Sequence, residues 1–315
     1  MKRVILGAAS LLVLASCGGD NDKPSASPPP PPVSQTPTPS PAPAPSPTPA
    51  PAPAPAPTVA LFEGFDAAAL DRDLWNVVGP ELWVNNEQQV YLDSPDTIVI
   101  RQGVDGAEGG VLELRPIYRT GQDSNADRNA DFISGRINSK GRYDFTHGRA
   151  EARIRMPDGQ GLWPAFWLLG NGDWPATGEI DIMEYVGENE WTSSALHGPG
   201  YSGDTPLAKR YTFPTGTDVT DWHVYSVDWT ADSIAFAVDG NVFYTVSKAD
   251  VEAYGAWAFD NPKYLILNFA VGGGYPAGVN GVSEPYYGLP QTTVDQIKAG
   301  GVAMQVDWVR VTPEE

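Results

Sequence analysis

Residues 178–184 read Gly-Glu-Ile-Asp-Ile-Met-Glu, and this alternation of acidic and apolar side chains predicts a β-strand. On a strand, Glu179 and Asp181 lie on one face, while Ile180 and Ile182 lie on the other. Taken alone, three acids within six residues more often belong to a solvent-exposed face, and they also suit a calcium cluster. The stretch therefore predicts a strand with one acidic face, and its surroundings decide what the acids do.

The last acid of the stretch needs a local irregularity to join the other two. Strict alternation sends Glu184 to the apolar face, but a one-residue bulge at Ile182–Met183 returns it to the acidic face. Glu179 and Glu184 then have α-carbons roughly 13 Å apart, and inward-leaning side chains narrow the carboxyl separation to the ~5–5.5 Å of retaining glycosidases. Repulsion among three carboxylates raises at least one pKa, so one Glu can stay protonated while another stays ionised.

The flanks of this stretch are rich in tryptophan. Upstream, residues 161–169 read Gly-Leu-Trp-Pro-Ala-Phe-Trp-Leu-Leu, which places Trp163 and Trp167 close to the acids, and Trp174 follows. Downstream lies His197. Indole faces stack on the apolar faces of pyranose rings, so a surface lined by Trp with acids at its base suits a polysaccharide. The alternative is that Trp163 and Trp167 belong to the hydrophobic core.

The rest of the chain from residue 59 onward also predicts β-structure. Short runs of β-branched and aromatic residues recur between clusters of Gly, Pro, Asn and Asp, and Asp239-Gly240 is a hairpin signal. Many short antiparallel strands in one domain predict an all-β sandwich of two sheets. One helix is expected at Lys248–Tyr254. The strands are expected at Thr97–Arg101, Val111–Arg115, Gly148–Arg155, Trp222–Trp229, Ser233–Val238, Val242–Val246, Tyr264–Val271 and Ala303–Val311.

Composition excludes several classes of protein. The 315 residues carry 20 Lys and Arg against 39 Asp and Glu, a net charge of −19, and binding of DNA or RNA needs a basic surface instead. A single Cys excludes an internal disulfide framework and a multi-cysteine metal site. No G-x-S-x-G or H-E-x-x-H motif occurs, so serine and zinc hydrolase mechanisms lack support. We expect a monomer.

The N-terminus has the features of an export signal. Two basic residues precede an apolar run from Val4 to Ala15, and the run ends in Leu-Ala-Ser-Cys at Cys17. This resembles a bacterial lipobox, which implies a signal peptide at residues 1–16 and a lipid on Cys17. An ordinary secretory signal is the alternative. The lipid predicts anchoring in the cell envelope of a bacterium, at the outer membrane or the cell surface.

A proline-rich segment separates Cys17 from the globular part. Residues 17–57 contain more than half of the chain's Pro, alternating with Ala, Ser and Thr. Because Pro fixes φ and removes amide donors, we expect an extended, disordered spacer in this segment. The globular domain is therefore predicted to occupy residues 58–315.

The globular part resembles glycoside hydrolase family 16, most closely its bacterial laminarinase-like endo-β-1,3-glucanases. The resemblance covers nearly all of residues 59–315, and an acidic hexad with one extra residue before its last Glu is the variant associated with laminarinases. The family implies a β-jelly roll with a concave, aromatic-lined cleft. The matching segments are residues 134–136, 145–149, 161–167, 178–184, 197, 223–229, 265–273 and 306–311.

The resemblance also implies roles for single residues. Glu179 corresponds to the family's nucleophile and Glu184 to its general acid/base, with Asp181 between them as a hydrogen-bonding partner of Glu179. The family's residues near the acid/base or in contact with sugar correspond to His197, Trp163, Trp167, Asn268 and Arg136, of which Arg136 is alternatively a structural ion pair.

Family members need no cofactor, but many hold one structural calcium. Its ligands would correspond here to Glu63, a carbonyl near Gly110, and Asp307. The sequence departs from the family pattern at Gly64, where an acidic residue is usual. It also departs at Lys263, where laminarinases commonly have Phe.

The expected activity is retaining endo-hydrolysis of β-1,3 or mixed β-1,3/1,4 glucans such as laminarin. Two alternatives remain open at this stage. A transglycosylase would move the glycosyl unit to a sugar acceptor, and a non-catalytic glucan-binding surface lipoprotein would have no need for the three acids. Agar and carrageenan are further possible polymers.

Overall fold

Two antiparallel sheets of eight strands each dominate the structure, a computed structural model that describes residues 59–122 and 130–314. The strands are β1 (Leu61–Glu63), β2 (Asn76–Val77), β3 (Gln89–Tyr91), β4 (Ile98–Arg101), β5 (Val111–Leu114), β6 (Ile117–Tyr118), β7 (Phe132–Ser134), β8 (Arg136–Asn138), β9 (Asp144–Phe145), β10 (Gly148–Arg155), β11 (Leu162–Gly170), β12 (Glu179–Glu184), β13 (Trp191–His197), β14 (Leu207–Thr212), β15 (His223–Trp229), β16 (Ser233–Val238), β17 (Asn241–Ser247), β18 (Lys263–Val271) and β19 (Met304–Pro313). Three helices, α1 (Lys248–Glu252), α2 (Gly274–Asn280) and α3 (Gln291–Ala299), connect or cover them.

In both large sheets, several neighbouring strands are far apart in the sequence. The first sheet runs β17-β16-β15-β10-β19-β5-β4, with β1 also paired to β19. The second sheet runs β14-β13-β12-β11-β18-β8-β2, with β9 also paired to β18. A third sheet of three short strands, β3-β7-β6, contains one parallel pair, β3 with β7. Neighbours far apart in the chain are a feature of sandwich folds with crossover connections.

The hydrophobic core lies between the inner faces of the two large sheets. Ala150, Ala152 and Ile154 are fully buried at alternate positions of β10. Phe166 and Leu168 are fully buried at alternate positions of β11 in the second sheet. Burial of these alternating apolar side chains is the main stabilisation of such a sandwich. It leaves one face of the second sheet free of the core, and we call this the site face.

The prediction of an all-β sandwich of two antiparallel sheets is confirmed. Two of the predicted strands have the bounds of β10 and β16, and the others differ by one or two residues at their ends. Asp239 and Gly240 have φ of 50° and 76°, the positive values that a tight hairpin between β16 and β17 requires. The helix α1 is one predicted element, whereas α2 and α3 are not anticipated by the sequence.

The N-terminal predictions lie outside the described residues. This applies to the signal peptide of residues 1–16, to Cys17 and to the proline-rich segment of residues 17–57. Within residues 59–122 and 130–314, no helix combines the length and apolar character needed to cross a membrane.

Candidate active site

The strand β12 contains the bulge that its sequence predicts. Met183 pairs with Phe166 and Asp181 pairs with Trp167, so Ile182 has no partner on β11. The register on the other side shifts at the same place. An extra residue in one strand reverses the alternation of side chains beyond it. The acids before and after the bulge therefore lie on one face of the sheet.

A row of directly paired residues crosses the second sheet at the end of this strand. Glu184 pairs with Ala165 on β11 and with Ser193 on β13. Ala165 pairs in turn with Asn268 on β18, and Asn268 pairs with Arg136 on β8. Because cross-strand partners share a face, Glu184 and the predicted sugar contacts Asn268 and Arg136 lie together on the site face.

Three side chains form a compact cluster around Glu179. Its partner across the ladder is His197, whose Nε2 lies 3.8 Å from Glu179 Oε1 and 3.3 Å from Asp181 Oδ2. Asp181 is buried beside Glu179, and its charge raises the pKa of Glu179. Trp174 Nε1 donates to Glu179 Oε2 at 2.9 Å. His197 thus lies beside Glu179 and Asp181, and it also lowers the pKa of Glu184, the acid/base near which the resemblance places it.

Burial is the main cause of the unusual titration of these acids. It raises the pKa of Glu179, Asp181 and Glu184, in each case to about 8. The charge of Asp181 raises the pKa of both glutamates further, while the His197 ring opposes this effect. Because interacting carboxyl groups lose their protons one after another, such a cluster can hold one acid and one carboxylate together, as general acid catalysis requires.

Glu184 lies among aromatic side chains rather than beside a basic residue. Trp163 Nε1 donates to Glu184 Oε1 at 3.0 Å, and the Trp163 ring meets the Tyr275 ring edge to face at 5.7 Å. Tyr275 Oη is 2.9 Å from Ser193 Oγ, on the strand next to Glu184. Such apolar surroundings favour the protonated form of a carboxyl group.

The remaining predicted sugar contacts form a second group beside the acids. Trp167 Nε1 donates to Asn268 Oδ1 at 2.7 Å. The Arg136 guanidinium lies 4.8 Å from the Trp167 ring and 5.8 Å from the Tyr91 ring, and makes no ion pair within the described part of the chain. Two aromatic rings thus contact the guanidinium, and its positive charge also lowers the pKa of the buried Glu87 carboxyl group.

Comparison with known proteins identifies the family. Residues 87–310 match the model of glycosyl hydrolases family 16. The chain belongs to this family. Among solved structures, the endo-β-1,3-glucanase from Pyrococcus furiosus superposes with a TM-score of 0.68 and 33% identity, covering 80% of this chain and 93% of that one. The jelly-roll sandwich predicted from the sequence is therefore the fold of this family 16 domain.

Two curated relatives differ in what their names describe. The glucan endo-1,3-β-glucosidase A1 of Niallia circulans is 34% identical over 275 residues, which cover 80% of this chain but only 37% of that protein. The β-1,3-glucan-binding protein of Penaeus monodon is 33% identical over 320 aligned positions, covering 77% of this chain and 87% of that protein. Relatives of this family 16 domain thus include a named hydrolase and a named binding protein.

The predicted calcium ligands have other partners in this family 16 domain. Both carboxylate oxygens of Asp307 accept the Glu108 amide, at 3.0 and 3.1 Å, and Oδ2 is ion-paired with Arg153. Glu63 Oε1 accepts the Phe65 amide at 2.8 Å. A calcium ion needs six to eight oxygen ligands that are free to face it.

These contacts do not fit the calcium site that the resemblance implies for Glu63, Gly110 and Asp307. The guanidinium of Arg153 balances the buried charge of Asp307, and it does so without a metal ion.

Several residues of the site carry no recognisable signal in the sequence. Tyr275 reaches Ser193 because α2 begins shortly after β18, and no sequence motif predicts that helix. Tyr91 Oη accepts from Asn268 at 3.3 Å and lies 3.2 Å from the buried Glu87 carboxylate. The sequence places Trp174 near the acids, but its hydrogen bond to Glu179 depends on the conformation of the loop that carries it.

Proposed function

We propose that this protein is a retaining, endo-acting glycoside hydrolase that cleaves β-1,3 or mixed β-1,3/1,4 glucans such as laminarin. The observation that carries the proposal is the placement of Glu179, Asp181 and Glu184 on one face of β12 through the bulge, with indole groups bonded to both glutamates. Retaining hydrolysis uses two carboxyl groups, one as nucleophile and one as acid/base, and the bulge places two glutamates on the same face for these roles.

In the first step Glu179 acts as the nucleophile. Its carboxylate attacks the anomeric carbon while Glu184 donates its proton to the departing glycosidic oxygen, which leaves a covalent glycosyl-enzyme and an ionised Glu184. Trp174 and His197 favour the ionised form of Glu179 by direct contact with its two oxygens. Trp163 bonds a single oxygen of Glu184, and the apolar surroundings there favour the protonated form.

In the second step the roles of Glu184 are reversed. Its carboxylate takes a proton from water as the water attacks the anomeric carbon, and the bond to Glu179 breaks. Asp181 lies between the two glutamates on β12, and its charge raises the pKa of both.

The polymer class is proposed from two lines of support. Trp163 and Trp167 are only partly buried on the site face, and indole rings suit contact with the apolar faces of pyranose rings. The names of the relatives from Niallia circulans, Pyrococcus furiosus and Penaeus monodon refer to β-1,3-glucan. Because this chain spans only 37% of the first of these proteins, its whole activity remains part of the proposal.

The stereochemistry of the product tests the proposal. Two successive displacements at the anomeric carbon give a first product with the same β-configuration as the substrate. Proton NMR of a fresh laminarin digest, recorded before mutarotation, should show the β-anomer first. Early appearance of the α-anomer would mean that water attacks the glucan directly and that Glu179 forms no covalent intermediate.

A glucan-binding protein without activity is the second candidate, because one relative carries that name. The two candidates differ in a simple assay: a binding protein retains laminarin on a native affinity gel but releases no reducing ends. A transglycosylase would release products longer than the substrate when a sugar acceptor is added. Chromatographic sizing of products with and without acceptor separates all three.

We also propose that the protein is a lipoprotein of the bacterial cell envelope, held through a lipid on Cys17. The proposal rests on the sequence Leu-Ala-Ser-Cys after an apolar run, with the only Cys of the chain at the modified position. The proline-rich segment of residues 17–57 would then act as a semi-rigid spacer. At ~3.1 Å per residue it spans on the order of 100 Å.

Replacement of Cys17 tests the anchor. Cys17→Ser removes the thiol that would carry the lipid, so the variant should lose incorporation of radiolabelled fatty acid and leave the membrane fraction. Ser16→Ala, next to it, is the matched control and should remain attached. Unchanged fractionation and labelling of the Cys17→Ser protein would exclude Cys17 as the anchor.

A further inference from the structure

Lys263 is a fully buried lysine at the start of β18, on an element that also carries the site residue Asn268. Its ammonium group donates to Thr177 O at 2.6 Å, to Ala258 O at 3.2 Å and to Asn261 Oδ1 at 3.2 Å. The three donors of the group are thus all satisfied. Within the described residues, Lys263 forms no ion pair, although most buried charges are paired.

The acceptors of Lys263 belong to two loops that meet at the edge of the site. The Trp174 loop, residues 171–178, enters β12, and the Ala258 loop, residues 255–262, enters β18. They approach closely at Gly178, where an added Cβ would lie 2.4 Å from Ala258 O and φ is +70°. The buried ammonium group therefore links the two loops through hydrogen bonds to both. One of its acceptors, Thr177, lies two residues before Glu179.

The position of Thr177 is linked to that of Trp174. The Thr177 amide donates to Asp173 O at 3.1 Å, and the Gly178 amide donates to Pro175 O at 3.0 Å, so the end of the loop is one hydrogen-bonded turn. Trp174 itself is half exposed, and its indole N–H is bonded to Glu179. A displacement of Thr177 is therefore transmitted to the indole that contacts Glu179.

We propose that Lys263 is a positioning residue, whose buried ammonium group fixes the Trp174 loop so that the Trp174 indole stays bonded to Glu179. The inference rests on the proposed role of Glu179 as the nucleophile. Lys263 touches no substrate and acts only through the loop and Trp174.

The cost of this arrangement argues against a purely structural role. Burial lowers the pKa of Lys263 to about 7, and Asp260 is the charged group that opposes this effect. Asp260 is itself 3.1 Å from Lys248 and 3.6 Å from His147, so its charge is shared. The rings of Trp229 and Phe259 surround the lysine at 5.5 and 5.4 Å, a setting that an apolar side chain would fill more cheaply.

A double-mutant cycle between Lys263→Met and Trp174→Phe tests the proposal. Each single variant should lower kcat on laminarin by about 10- to 100-fold, since a displacement of 1 Å can cost that much, with a smaller change in KM. Both should shift the acid limb of the pH profile to higher pH, because the indole N–H holds down the pKa of Glu179. The double variant should be no slower than Trp174→Phe alone.

The controls separate positioning from folding. Lys298→Met, at an exposed lysine, should leave kcat and the pH profile unchanged. If Lys263→Met does not fold, Asn261→Ala removes one acceptor of the ammonium group and should shift the acid limb in the same direction by a smaller amount. The proposal is overturned if the effects of Lys263→Met and Trp174→Phe multiply, or if neither Lys263 nor Asn261 variants move kcat and the acid limb. Failure of the proposed function would show differently, as activity in a Glu179 variant.

Discussion

Glu179→Gln should lower the rate of laminarin hydrolysis by about 10³-fold or more and leave the fold intact. The amide keeps the volume of the side chain and can still accept the Trp174 N–H, but it cannot form a covalent bond to the anomeric carbon. Replacing the carboxylate also removes one of three mutually repelling acids, so no loss of stability is expected. The measurement is kcat on laminarin together with thermal unfolding of the same protein.

Chemical rescue shows whether the lost group is the nucleophile. Glu179→Ala leaves a space beside the anomeric carbon, and added azide can attack there in place of the carboxylate. One displacement on a β-glucoside inverts the configuration, so the product should be the α-glycosyl azide. Glu190→Gln, an exposed glutamate after the same strand, is the matched control and should have normal activity. A folded Glu179→Gln protein with near-normal activity would exclude the assignment.

The local pattern of residues 178–184 is enough to predict the strand, its acidic face and the bulge, because all three depend on the period of two within a few residues. The structure shows the bulge between Asp181 and Glu184 in both ladders. The same reasoning predicts the hairpin at Asp239-Gly240, since a tight turn needs positive φ at both residues. Local backbone conformation can thus be predicted from the sequence.

The helix α2 cannot be predicted from its local sequence. Its sequence, Gly-Tyr-Pro-Ala-Gly-Val-Asn, has two Gly and a Pro in seven residues and therefore a poor helix propensity. Tertiary contacts override that propensity: Pro276 is buried, and the Tyr275 ring packs against Trp163. A helix that exists because of its neighbours is not predictable from its own residues.

Contacts between distant strands are the other part that the sequence does not reveal. His197 lies opposite Glu179 because of the register between β12 and β13, which no local pattern specifies. The ion pair of Arg153 with Asp307 forms where the register between β10 and β19 shifts, and it engages one of the carboxylates predicted to bind calcium. Both cases depend on strand order, which is a property of the complete fold.

Glu184→Gln should also lower the rate of laminarin hydrolysis strongly. Unlike the effect of Glu179→Gln, this loss should depend on the leaving group of the substrate. The variant cannot protonate the glycosidic oxygen, so hydrolysis of laminarin should fall by about 10²- to 10⁴-fold. An aryl β-glucoside with an acidic phenol needs no proton to depart, and its first step should remain fast. Water is then not activated, so the glycosyl-enzyme should accumulate as a burst of phenol.

The pH profile of the same variant tests the acid directly. Burial and the charge of Asp181 raise the pKa of Glu184 to about 8, so the protonated acid is lost as the pH rises through that value, and wild-type activity on laminarin should fall there. On the aryl glucoside, Glu184→Gln should lack this alkaline limb. Its acid limb should shift to lower pH, because the charge of Glu184 no longer raises the pKa of Glu179.

Azide should attack the glycosyl-enzyme from the opposite side and give the β-glycosyl azide, the reverse of the product from Glu179→Ala. If Glu184→Gln kept its alkaline limb or gave the α-azide, the two glutamates would have exchanged roles. Opposite azide products from the two variants are expected only if Glu179 and Glu184 act from opposite sides of the sugar.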